Sequence, residues 1–93
     1  MLVIVKNAPD TADGKRGIIL AKDMSADIIL LQNGVYFARG GVLADFSGLV
    51  YVLDEDLILR GLEDVQIGKD IKKVDYSTLV DIMAESDKVV GMF

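Results

Sequence analysis

Cysteine, histidine and tryptophan are all missing from the chain, and Pro9 is its one proline. Without cysteine there is no disulfide framework, no thiolate nucleophile and no Cys-ligated metal. A persulfide needs a thiol to sit on, so these residues cannot carry sulfur in that form. Without histidine the commonest zinc ligand is gone, and with it the commonest general base near neutral pH. Positive charge is scarce as well. Ten Lys and Arg face fifteen Asp and Glu, for a net charge of −5. Nucleic-acid binding rests on clustered cations that neutralise phosphates. The only adjacent basic pairs are Lys15-Arg16 and Lys72-Lys73, so no direct contact with nucleic acid is expected. The apolar start, Met1 to Val5, has no basic leader and stops at Lys6. It is too short for a signal peptide or for a membrane span of ~20 residues, and the expected location is the cytoplasm, away from membranes.

What the chain has in plenty is aliphatic surface. Hydrophobic residues make up 52% of its 93 positions, and mean hydropathy is +0.39. A chain of this length forms one domain, residues 1–93, with limited interior. Two arrangements accommodate the excess: strands buried on both faces, and a surface covered by another subunit. Both are expected, with the isolated chain a homodimer or higher oligomer. The segment from Val35 to Phe46 holds Tyr36, Phe37, Val42, Leu43 and Phe46 without a clear strand or helix to bury them. The contact surface is expected there, joined by Met92-Phe93.

Short apolar runs separated by turn and cap residues set the order of elements. Leu2 to Val5 reads as a buried strand ended by Asn7-Ala8-Pro9-Asp10. A helix from about Thr11 to Asp23 follows, capped by Thr11 or Asp13, although Gly14 and Gly17 each cost it ~1 kcal/mol relative to Ala. Ile28 to Leu31 is a second strand, closed by Gln32-Asn33-Gly34. Asn-Gly accepts positive φ and could turn a hairpin, but the residues after it do not alternate, which favours a loop with a short helix. Leu49 to Leu53 is the third strand. Asp54 is placed as N-cap of the next helix, with Glu55 and Asp56 in its first turn and Gly61 just past its end. Ile71 to Val74 is a fourth strand, and Asp75 or Ser77 caps a helix to about Glu85. Lys88 to Phe93 is a last strand, broken at Gly91 and suited to an edge. Strands alternating with helices predict an α/β fold with a mostly parallel sheet of about five strands and helices on both faces.

Functional loops of such sheets lie beyond the carboxyl ends of the strands. Those ends carry Asn7-Ala8-Pro9, Gln32-Asn33-Gly34, Asp54-Glu55-Asp56 and Asp75-Tyr76. They form either a polar rim where a ligand or partner docks, or a set of turns and helix caps. Tyr36 and Phe37 are either an exposed contact patch or core. No residue is assigned as catalytic, cofactor-binding or metal-ligating. Asp54, Glu55 and Asp56 fan apart at a helix start, whereas Mg²⁺ needs ligands converging from several loops. Gly14-Lys15-Arg16-Gly17 lacks the order of a phosphate loop, and Arg39-Gly40-Gly41 lacks a dinucleotide fingerprint.

Three stretches carry a resemblance: Leu30-Leu31-Gln32-Asn33-Gly34-Val35, Val50 to Leu62 (VYVLDEDLILRGL), and Val74-Asp75-Tyr76 with Leu79-Val80. In order and spacing they resemble the DsrH/TusB family, small subunits of the DsrEFH and TusBCD sulfur-relay complexes. The resemblance runs from about Ile28 to Met83, with the middle stretch the most specific. It implies a three-layer α/β/α fold and partners like the DsrE/TusD and DsrF/TusC subunits. It also implies a place in persulfide transfer, towards 2-thiouridine at the tRNA wobble position or in sulfur metabolism. The transferring cysteine of these complexes belongs chiefly to the DsrE/TusD subunit. Some DsrH members carry one too, and this chain departs from them by having none. It also has Asn33 where the family commonly shows Asp, and Leu59 where a small residue is common. The expected function is a non-catalytic interaction subunit without cofactor. The alternative is a stand-alone homo-oligomer on the same fold that binds a small ligand at the strand-end rim. A cysteine-independent enzyme using Asp54 or Asp75 is a third possibility, but neither carboxylate has an obvious partner base.

Overall fold

A computed structural model describes the backbone of residues 1–93 and every side chain except that of Met92. Five strands form one all-parallel sheet: β1 (Leu2–Val5), β2 (Asp27–Leu30), β3 (Val50–Leu53), β4 (Ile71–Val74) and β5 (Val89–Met92), in spatial order β4-β3-β2-β1-β5. Three α-helices accompany them: α1 (Ala12–Asp23), α2 (Asp54–Leu59) and α3 (Tyr76–Glu85). Two 3₁₀ segments, Gln32–Ala38 and Asp64–Gln66, complete the connections.

Alternation along the central strands sorts their side chains onto the two faces. Val3, Val5, Ile28, Leu30, Val50 and Val52 point to one face, where they meet Ile18 and Ala21 of α1, Val35 and Phe37 of the 3₁₀ segment, and Leu57 of α2. Leu2, Ile4, Ile29 and Leu53 point to the other, covered by Leu79 with Ile82 and Met83 of α3. The three layers are therefore α1 and α2, the sheet, and α3. Handedness explains the arrangement. Parallel crossovers are right-handed, so a chain stepping steadily from β1 to β4 keeps its connections on one face. To reach the opposite edge at β5 it must return over the other face, and α3 is that return.

The local expectations hold at most positions, for identifiable reasons. The Thr11 hydroxyl accepts a hydrogen bond from the Gly14 amide at 3.0 Å and caps α1. The glycines that weaken this helix are what let it sit close. A Cβ on Gly17 would lie 2.7 Å from the Phe93 Cβ and 3.0 Å from Val5 Cγ2, and one on Gly14 would lie 2.3 Å from the Ala8 carbonyl oxygen. β5 is an edge strand whose pairing with β1 shifts register between Val3 and Ile4, opposite the break at Gly91 (φ +28°).

Two expectations are corrected. Asp54 does not cap α2. The N-cap is Leu53, with no side-chain cap bond, and Asp54 is already the first helical residue. The carboxylate of this turn that reaches a backbone amide is Asp56, described below. Phe37 is not a contact residue: it is 5% exposed and packed in the core with Val35 and Ala38. Leu43 and Phe46 are partly buried against the same cluster, which leaves the 35–46 segment without the continuous apolar surface expected of it. The 3₁₀ turns of Gln32–Ala38 put Val35 and Phe37 on the sheet side, an ordering that sequence alternation does not signal. Of the terminal pair, the Met92 side chain lies outside the described residues, and Phe93 packs partly buried against α1.

Candidate functional site

The carboxyl ends of the strands gather the polar residues singled out in the sequence. At the end of β2 the chain turns through Gln32, which takes up left-handed backbone (φ +49°), a conformation that side-chain-bearing residues adopt at a cost of ~1–3 kcal/mol. The cost is offset by a charged acceptor. The Gln32 amide donates to Asp56 Oδ2 at 2.7 Å. Arg60, one helical turn after Asp56, places its Nη1 3.6 Å from Asp56 Oδ1, and its Nε donates to Asn33 Oδ1 at 3.0 Å. The side chains of Asp56 and Arg60 are only 15% and 21% exposed. They tie the end of β2 to α2. The amide oxygen of Asn33 accepts from Arg60, a contact that an aspartate oxygen at the same position could also make. The Asn-Gly pair serves an unexpected end: the positive φ is at Gln32, and Gly34 is needed for proximity. A Cβ on Gly34 would lie 2.1 Å from the Val5 carbonyl oxygen.

At β3 and β4 the connections leave towards opposite faces of the sheet, α2 to one and α3 to the other. Asp54 and Glu55 open α2, and Asp75 and Tyr76 lead into α3. Asp75 Oδ1 accepts from the Thr78 amide at 2.8 Å and caps α3. That amide, helped by the Thr78 side chain, holds the Asp75 carboxyl below the usual carboxylate range. Lys73 bonds Asp64, which raises its ammonium above the ordinary lysine value; the charge of Asp54 adds a smaller push in the same direction. Tyr76 is 65% exposed. Among the described residues no group of three or more carboxylates could hold a metal ion.

The structure therefore divides the candidates. Gln32 and Asn33 join one clamp, whose other half, Asp56 and Arg60, was missed as a site although the acid–base pair at i,i+4 spacing is legible in the sequence. Asp54, Glu55, Asp75 and Tyr76 stand at the neighbouring strand ends, those of β3 and β4. Gly34 and Phe37 belong to the interior, and Tyr36 is half-buried with the Arg39 guanidinium 5.5 Å from its ring centre. Exposed apolar residues lie elsewhere. Ile58 and Leu59, consecutive in α2, are 69% and 76% exposed, and Val65 just beyond is 90% exposed. None of the helices is long and apolar enough to cross a membrane.

A five-stranded parallel α/β/α domain has thus been built with a polar strand-end rim and an apolar helix face beside it. The family model described as "DsrH like protein" matches residues 16–89, most of the chain, and the chain belongs to this DsrH-like family. Its fold is that of the ychN protein from E. coli, with a TM-score of 0.81 at 17% identity over 99% of this chain and 97% of that one. Protein Tm0979 from Thermotoga maritima is also similar, with a TM-score of 0.69 and 26% identity over 98% of this chain and 100% of that one. No curated protein matches the chain. The family places the chain, at its own level, among subunits related to sulfur relay and to multi-subunit complexes.

Proposed function

We propose that this chain is a non-catalytic interaction subunit of a sulfur-relay complex, assembled with DsrE/TusD-like and DsrF/TusC-like subunits that carry the persulfide. One observation carries the reading: a DsrH-like domain spans most of the chain, yet the chain has no cysteine on which sulfur could ride. What remains to such a domain is to shape and hold its partners. The destination of the sulfur, tRNA wobble uridine or sulfur metabolism, belongs to the partner subunits, and the cytoplasm is where such a relay would work.

The exposed side of α2 is the proposed contact face. Ile58 and Leu59 are adjacent and stand largely in water, whereas exposed aliphatics that occur singly are ordinary on soluble domains. The rim beside them, with Asp54, Glu55, Asp75 and Tyr76, supplies polar contacts around that apolar centre, the usual layout of an interface. Affinity capture of the tagged chain from native lysate of its source tests the reading. The expected result is a co-purifying DsrE-like protein that contains cysteine. A homo-oligomer recovered alone, with no such protein, would instead support the stand-alone binding protein.

A further inference from the structure

A cleft lies away from the rim. It opens at the opposite end of the sheet, at the amino ends of β3 and β4, with a volume of about 300 Å³. That is the lower end of the range for small-molecule sites, ~300–1,000 Å³. One wall is the loop from Arg39 to Gly48 and the other is the Gly68–Ile71 segment. The two are joined at one end by backbone pairing. The Gly40 amide donates to Gln66 O at 2.7 Å, the Gly68 amide donates to Ala38 O at 2.9 Å, and Arg39 and Ile67 form an antiparallel bridge. These backbone contacts fix that end of the cleft.

Its lining is apolar below and cationic at the edge. Leu43, Phe46 and Ile71 provide hydrocarbon, and Arg39 and Lys69 provide charge, opposed by Asp70 alone. In a chain of net charge −5 this is a local excess of one positive charge. None of the ion pairs among the described residues uses Arg39 or Lys69. The Arg39 Nε donates to the Tyr36 carbonyl oxygen at 3.3 Å and its guanidinium lies 5.5 Å from the Tyr36 ring centre, contacts that leave the terminal nitrogens able to take a carboxylate as partner.

We propose that this cleft binds a small amphipathic monocarboxylate, an aromatic or branched aliphatic acid whose carboxylate meets Arg39 and Lys69 while its apolar body covers Leu43, Phe46 and Ile71. Asp70 disfavours ions of higher charge, and the hydrocarbon floor gives an inorganic ion nothing to bury. The site is independent of the sulfur-relay reading, since it lies at the other end of the strands from the rim.

Phenylacetate is the probe, added to the ¹⁵N-labelled chain and followed by amide chemical shifts. Saturable shifts are expected at Gly48, Gly68 and Ile71. The neutral isostere phenylacetamide should bind more weakly by at least about tenfold, the scale of one lost charge-assisted contact. Inorganic phosphate should not displace the probe. Arg39→Gln should weaken phenylacetate by a similar factor while keeping the dispersed spectrum of a folded chain, and Lys69→Gln, at an exposed position, provides a second variant. The proposal is overturned if phenylacetate gives no saturable shift at tens of millimolar, or if the amide binds equally well. Displacement by phosphate, or shifts centred on Gln32 and Asp75, would overturn it too. The comparison of acid with amide uses the unaltered chain and stands whether or not a variant folds.

Discussion

Phe37→Asp is expected to abolish folding, while Tyr36→Asp leaves the far-UV circular dichroism of the folded chain in place. The two residues are neighbours in sequence and opposites in environment. Phe37 is 5% exposed and lies in the cluster that joins β1, β2 and β3 to α1. Removing a buried phenylalanine costs ~3–5 kcal/mol through lost transfer energy and the cavity left behind. A carboxylate put in its place must also be desolvated or protonated, which adds a few kcal/mol more. Domains of this size hold only ~5–15 kcal/mol in total, so the loss is of the order of the whole stability. Tyr36 faces partly outward, and its replacement loses the Arg39 contact without opening the core. Urea melts followed by circular dichroism would separate the two variants. A folded Phe37→Asp protein would mean that the 3₁₀ segment presents this ring to a partner after all.

Charge on α2 is expected to act on assembly instead of on the fold. In Ile58→Asp with Leu59→Asp, both replaced side chains are mostly in water, and exposed substitutions usually change stability by under ~0.5 kcal/mol each. Two carboxylates at the centre of an interface would have to be desolvated without partners, and affinity for the partner subunit should fall by at least about a hundredfold, ~2.7 kcal/mol. Capture of the DsrE-like partner from lysate should be lost while the thermal midpoint stays within a few degrees. A partner retained in full would move the contact face away from α2. Loss of the midpoint together with capture would show that α2 packs more tightly than its exposure implies.

Much of the fold was legible because its signals are local. Four-residue runs such as Leu2–Val5 and Asp27–Leu30 are too apolar or too β-branched to be loops and too short to be helices. Thr11 and Asp75 sit where cap chemistry requires them. A mostly parallel sheet follows from strands alternating with helices. What escaped is whatever depends on a distant neighbour. Gly14 and Gly17 look like flaws in a helix until the Ala8 carbonyl and Phe93 are seen against them. Asp54 and Asp56 are equivalent as letters near a helix start, and only the turn at Gln32 shows that Asp56 is the one whose oxygen is used. The 39–48 loop carries the cleft, yet its residues show no periodicity that would mark a site. The rim residues were found because strand ends in parallel sheets are predictable places. The cleft was not, because it lies at the other ends.

The central claim is that this chain serves a sulfur relay without carrying sulfur. Its most direct test is radiolabelled sulfur, supplied through a cysteine desulfurase and cysteine to the captured complex, followed by separation of the subunits. The account predicts reductant-releasable label on the cysteine-bearing partner, none on this chain, and slower transfer when this chain is left out. Label at persulfide stoichiometry on this chain, or transfer equally fast in its absence, would contradict it.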